Sequence, residues 1–215
     1  MIAVNNITKI YTKGSDEFIA LDAVNLTIGK GEFVVVNGPS GAGKSTLLNS
    51  IGGLIRPDSG EILFSGRNIY RQKGRWTNEY RKKHVGFMFQ QFHLMPYLTV
   101  FENIKSACNT NEHRSKIMPL LESCSLSIFR NKYPSELSVG EKQRTAFIRA
   151  IISSPDVLLA DEPTGNLDPD NSNMLMSLVE EFHKVGGTVI LVSHDPLAAK
   201  YATRSVILAK GRILS

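Results

Sequence analysis

The sequence predicts an α/β domain with a mainly parallel core sheet, an antiparallel β subdomain and a helical insertion. Three patterns carry that prediction. Residues 33–37, 157–160 and 188–192 are nearly unbroken apolar runs, as strands buried on both faces require, which implies a parallel sheet with helices on each side. The early runs at 2–7, 23–28 and 61–64, with "KG" and "SG" turns, read as an antiparallel patch. Residues from about 92 to 153 carry helical spacing and no convincing strand.

Element by element, the strands fall at 2–7, 23–28, 33–37, 61–64, 85–89, 157–160, 188–192 and 205–209. These are short segments rich in Val, Ile and Leu and punctuated by Gly, Pro or Asp. Helical spacing of apolar residues fills 44–51, 100–106, 115–124, 141–153 and 169–185. A chain of 215 residues accommodates one substantial core with room for a small subdomain. Its 42% hydrophobic and 21% charged content is that of a soluble globular protein. The longest apolar stretches, "FVVV", "VLLA" and "VILV", are far short of a membrane span. "MIAVNNITKIY" alternates like a strand and not like a leader, so the chain is expected to stay where it is made. Cys108 and Cys124 lack metal-ligand spacing and are too few for a disulfide framework, which points to a reducing cytoplasm.

The net charge of +5 is concentrated between positions 67 and 83, where Arg67, Arg71, Lys73, Arg75, Arg81, Lys82 and Lys83 face one acid, Glu79. The reading adopted is a solvated face with a flexible loop, ahead of an anionic membrane surface. Only Trp76 and Tyr80 interleave with the charges, which argues against a nucleic-acid groove.

Two motifs carry chemistry. "GPSGAGKST" comprises Gly38, Pro39, Ser40, Gly41, Ala42, Gly43, Lys44, Ser45 and Thr46; it fits G-x-x-x-x-G-K-[ST], follows a buried strand and opens a helix. Such a loop turns its backbone N–H groups inward around phosphate oxygens. Lys44 is expected to neutralise the β- and γ-phosphates and Ser45 to ligate Mg²⁺. "VLLADEP" ends a buried strand in two acids, which are costly there without a cation or polar partner. Asp161 is expected to support Mg²⁺, and Glu162 to orient or deprotonate an attacking water.

With these motifs the chain resembles the ATP-binding cassette (ABC) ATPases, over essentially its whole length. The resemblance implies a P-loop NTPase fold and an ABC ATPase domain over residues 1–215. Residues of about 1–91 and 154–215 would form the core with its antiparallel β subdomain, and about 92–153 the helical subdomain. "LSVGEKQR" matches the family signature, usually LSGGQ; Ser138, Val139, Gly140 and Glu141 would bind the γ-phosphate of an ATP held by the other subunit's P-loop. Val139 departs from the pattern, replacing the first signature glycine with a β-branched residue. Tyr11 matches the aromatic that stacks on adenine. Gln90, with Gln91 as the fallback register, matches the glutamine that touches Mg²⁺ and the attacking water. Asp168 of "GNLD" matches the aspartate of a loop crossing the dimer interface, and His194 of "VSHD" the histidine that contacts the γ-phosphate.

Within the family, "GFMFQQFHLMPYLTVFENI" and "DEPTGNLD" look most like the MacB/LolD/FtsE type. That implies ATP and Mg²⁺ as cofactors, a second ATPase subunit (a homodimer ahead of a pairing with a paralogue) and an integral membrane permease as partners, and no nucleic acid. It also implies a peripheral place on the cytoplasmic face of the inner or plasma membrane. Phe92, Leu94, Met95, Pro96 and Tyr97 form an apolar loop that needs a cover, assigned in part to a partner's helix. The alternative is a soluble ABC ATPase in a non-transport complex such as division or cluster assembly. The chain ends just after its last strand pattern, so no C-terminal regulatory domain is expected.

Overall fold

The computed structural model describes residues 1–71 and 74–214. Lys73 of the basic run and Ser215 lie outside them.

The strands are β1 (Ile2–Lys13), β2 (Asp16–Ile28), β3 (Phe33–Asn37), β4 (Ser59–Phe64), β5 (Arg67–Asn68), β6 (Val85–Met88), β7 (Val157–Asp161), β8 (Thr188–Val192), β9 (Arg204–Ala209) and β10 (Arg212–Leu214). The helices are α1 (Lys44–Ile51), α2 (Arg75–His84), α3 (Val100–Lys105), α4 (Asn111–Ser115), α5 (Ile117–Ser123), α6 (Val139–Ile151), α7 (Pro169–Lys184) and α8 (Pro196–Tyr201). Among the described residues the strands form two sheets. One is antiparallel, in the order β2-β1-β4-β5; the other runs β10-β9-β3-β8-β7-β6, parallel throughout except for β10 at its edge.

The unbroken apolar runs sort by pleat. Val34, Val36, Val157, Leu159, Ile190 and Val192 face one cluster, shared with α1 and the antiparallel sheet. Phe33, Val35, Leu158, Ala160, Val189 and Leu191 face the other, built against α3, α5, α6, α7 and α8. A period of two with every position apolar is what a strand covered on both faces needs. The sheet therefore holds its strand ends rigidly, and both chemical motifs begin at such ends.

Several expectations change. The hairpin β1–β2 reaches Lys13 and Asp16, beyond the arms at 2–7 and 23–28, and Gly14 (φ 64°) makes its turn. Its distal residues are exposed on both faces, so no apolar alternation marks them. The segment at 75–84 is the helix α2, not loop. Trp76, Thr77 and Tyr80 turn inward, with Thr77 Oγ1 donating to the Ile69 carbonyl at 2.6 Å and Tyr80 Oη to that of Ile51 at 3.1 Å. Arg75, Lys82 and Lys83 stay on the solvent side, as the reading of a solvated face has it. The helix expected at 115–124 is α5 at Ile117–Ser123, and a further short helix, α4 at Asn111–Ser115, precedes it. Between β6 and β7 the regular elements among the described residues are all helical.

Candidate active site

The Gly38–Thr46 loop joins β3 to α1 and floors a cleft of about 640 Å³, within the usual range for cofactor sites. Gly43 is one of the residues the turn depends on: its φ is 101°, and a Cβ there would lie 2.1 Å from the Ala20 carbonyl oxygen. α1 has no acid of its own in its first turn, so no side chain of the helix itself offsets the partial positive charge of its N-terminus. Lys44 folds back over the loop, its Nζ donating to the carbonyls of Gly38 (2.7 Å) and Pro39 (3.0 Å).

The same cleft is lined by Tyr11, Gln90, Asp161, Glu162 and His194, each contributed by a different strand end or loop, save the adjacent acids. Burial pushes the Asp161 carboxyl above its ordinary pKa, and the neighbouring Glu162 pushes the same way. A hydrogen bond from the Ser45 hydroxyl and the charge of Lys44 oppose them. Asp161 Oδ1 is buried with no hydrogen-bond partner. Such an orphaned oxygen is what a cation would satisfy.

Glu162 sits at φ 46°, in the left-handed region that a residue with a Cβ rarely adopts. Its N–H donates to the Val192 carbonyl of β8 at 2.9 Å, and its own carbonyl accepts from Gly165 N–H at 3.2 Å. His194 Nδ1 is 2.9 Å from both carboxylate oxygens, but only Oε1 meets it with hydrogen-bond geometry; Oε2 is buried and unpaired. The His194 side chain is 74% exposed, the Glu162 side chain 14%.

Gln90 lines the cleft and Gln91 does not. The loop beyond them is pinned from two helices. Arg149 of α6 donates to the carbonyls of Phe92 and His93, and Asn103 of α3 exchanges hydrogen bonds with Met95 and donates to the carbonyls of Leu98 and Thr99. Phe18, opposite Tyr11 across the hairpin, also lines the cleft. The sequence reading passed over it because it lies in the exposed hairpin arm.

Ser138–Glu141 are absent from this lining. Ser138 caps α6 in a capping box with Glu141: Glu141 N–H donates to Ser138 Oγ at 3.3 Å, and Ser138 N–H to Glu141 Oε2 at 2.7 Å. Ser138 and Val139 are exposed. Gly140 is buried where a Cβ would come within 2.3 Å of Asn171 Oδ1, so a larger residue would push the Asn171 side chain off its hydrogen bonds with Arg144 and Asp168. Asp168 caps α7, and the Asn171 backbone N–H, then its side-chain amide, hold the Asp168 carboxyl below the usual carboxylate range.

A phosphate loop, an acid pair at the end of β7 and a separate exposed helix start are thus fixed on one scaffold. A family model described as ABC transporter matches residues 21–165. The chain belongs to the ABC transporter ATP-binding family. It binds and hydrolyses ATP as an ABC ATPase. It is similar to the ABC transporter ATP-binding protein YvrO of Bacillus subtilis, with 40% identity covering 100% of this chain and 96% of that protein. It is 38% identical to the macrolide export ATP-binding/permease protein MacB of Chlorobaculum tepidum, covering 100% of this chain and 34% of that longer protein. Among solved structures it resembles the dimeric, post-hydrolysis ATP-binding cassette MJ0796 bound to ADP and Pi, with a TM-score of 0.93, 36% identity and coverage of 100% of this chain and 97% of that one. MJ0796 is an ABC transporter ATP-binding protein of Methanocaldococcus jannaschii.

Proposed function

We propose that two copies of this cassette close on two ATP molecules, each held between the P-loop of one copy and the Ser138–Glu141 helix start of the other, to drive a membrane permease. The observation that carries this is the separation within one chain. The cleft holds the P-loop and both acids, while the capped, exposed start of α6 stands outside it. A helix N-terminus whose exposed serine precedes a buried glycine is suited to an anion approaching from outside. The dimeric MJ0796 cassettes, similar over the full length of this chain, support the arrangement.

In the closed pair, Gly38–Thr46 cradle the phosphates, Lys44 leaves its loop carbonyls for the β- and γ-phosphates, and Tyr11 stacks on adenine. Glu162 takes the proton of the attacking water, with His194 holding its carboxylate and reaching the γ-phosphate. Asp168 lies where the two copies meet. Asp161, Ser45 and Gln90 are the groups that would hold Mg²⁺, which neutralises phosphate charge. The described residues contain no cluster of three or more His, Cys, Asp or Glu able to hold a metal alone, as suits an ion ligated mainly by phosphate and water.

The permease would bind a cleft of about 500 Å³ beside the Gln90 loop, lined by Phe87, Phe89, His93, Arg81, Lys82 and Arg149. Phe87 and Phe89 stack with centroids 4.9 Å apart, and His93 meets Phe89 edge-on at 4.9 Å. An aromatic groove rimmed by cations fits an amphipathic helix bearing acids. Among the described residues no helix is long and apolar enough to cross a membrane. The reading puts this chain at the cytoplasmic membrane face through its permease partner. The division into a core of about 1–91 and 154–215 and a helical subdomain of about 92–153 belongs to the same reading.

Mixing tests the composite site. Lys44→Ala breaks the P-loop and Ser138→Arg the signature. Each variant alone is expected to be inactive, and their mixture to regain hydrolysis at the one intact site of the heterodimer. Ser138→Arg hydrolysing ATP at the parent rate would refute the arrangement.

A further inference from the structure

Gln143 lies on α6 about one turn beyond Gly140, yet it is a polar side chain only 1% exposed. Its Nε2 donates to the Pro163 carbonyl at 2.7 Å, and its Oε1 is buried with no partner. A core position with no other task favours an apolar side chain of that volume, because an unpaired buried oxygen is costly. Packing therefore does not account for the amide, and its one hydrogen bond does.

That bond acts on the residue after Glu162. The base candidate holds a left-handed backbone conformation that does not persist without external support. Val192 O fixes its N–H, Gly165 N–H its carbonyl, and Gln143 the carbonyl of the next residue, whose ring already locks φ. The neighbouring Arg144 makes a second tie: its Nη1 donates to Asn171 Oδ1 at 2.7 Å, and Asn171 Nδ2 donates to Asp168 Oδ2 at 2.7 Å. Consecutive residues of α6 thus grip the segment from Pro163 to Asp168 at both ends.

We infer that Gln143 is a positioning residue that sets the Glu162 carboxylate according to the position of α6, and so links engagement of the partner copy's ATP to hydrolysis in the chain's own cleft. The inference rests on Glu162 as the base and on the signature as the trans contact. A shift of α6 on closure moves the Pro163 carbonyl with it. Displacement of a reacting group by about 1 Å costs on the order of 100-fold in rate.

The test uses the purified chain with Gln143→Met, which keeps volume and removes the donor, and Gln143→Glu, which donates only when protonated. Gln143→Met is expected to keep its melting temperature and its KM for ATP while kcat falls 10- to 100-fold. In a Glu162→Gln background it is expected to leave ATP-driven dimerisation intact. The kcat of Gln143→Glu relative to the parent should rise as pH falls, as protonation restores the donor. Parental kcat in Gln143→Met, or a loss matched by lowered melting temperature or weakened dimerisation, overturns the inference. Glu162→Gln alone separates the layers: if it hydrolyses ATP at the parent rate, the base assignment fails; if it is dead while Gln143→Met is fully active, only the positioning role fails.

Discussion

At Glu162 the chain accepts a backbone conformation costing roughly 1–3 kcal/mol in order to aim a carboxylate into the cleft. Asp161 ends β7 with its backbone still in the ladder, and the left-handed step at Glu162 turns the second acid toward His194. The two adjacent carboxyls are thereby set apart. Asp161 is half-buried beside Ser45 with a buried oxygen left for a cation, and Glu162 is bonded to an exposed imidazole. General-base assistance is worth about 10²- to 10⁴-fold, and Glu162→Gln retains the shape of the side chain without the basicity. That variant is expected to lose hydrolysis by at least the lower figure while still binding ATP, and to accumulate as an ATP-bound dimer by light scattering. Parent-rate phosphate release would exclude Glu162 as the base.

Among the elements, α6 carries the most function per turn. Its first turn offers the capping box and Gly140, its second Gln143 and Arg144, and its last Arg149, which pins the loop after Gln90. Val139 sits at the first helical position and is 42% exposed, so its bulk lies outside its own core, on the surface that the proposed second copy would approach. Val139→Gly is expected to cost the helix at most about 1 kcal/mol and to change ATP-driven dimer affinity by removing that bulk. Equal dimerisation of both versions by light scattering would count against this.

The legibility of each element follows from how local its signal is. The P-loop and acid pair lie in contiguous residues, and the spacing of Leu47, Leu48 and Ile51 marks the one face on which α1 is buried. In α2 three inward residues are outnumbered by cations, so charge masks the helix. The hairpin tip exposes both faces and has no apolar period to detect. The Gln143–Pro163 bond joins residues 20 apart in the chain by a polar contact, which no periodicity announces.

For the whole molecule, two sheets share one apolar cluster and the helices cover the other, so the P-loop end of β3 and the acid end of β7 are held by packing on both faces. The helical segment then carries α6 and its signature outside the cleft. The account comes down to a reaction centre that one copy cannot complete, which makes turnover depend on encounter between copies. Steady-state phosphate release per subunit, followed through serial dilution alongside the mass distribution, measures that dependence. The account predicts that specific activity falls in step with the dimer fraction and vanishes for the monomer. Constant specific activity in samples shown to be monomeric would contradict it.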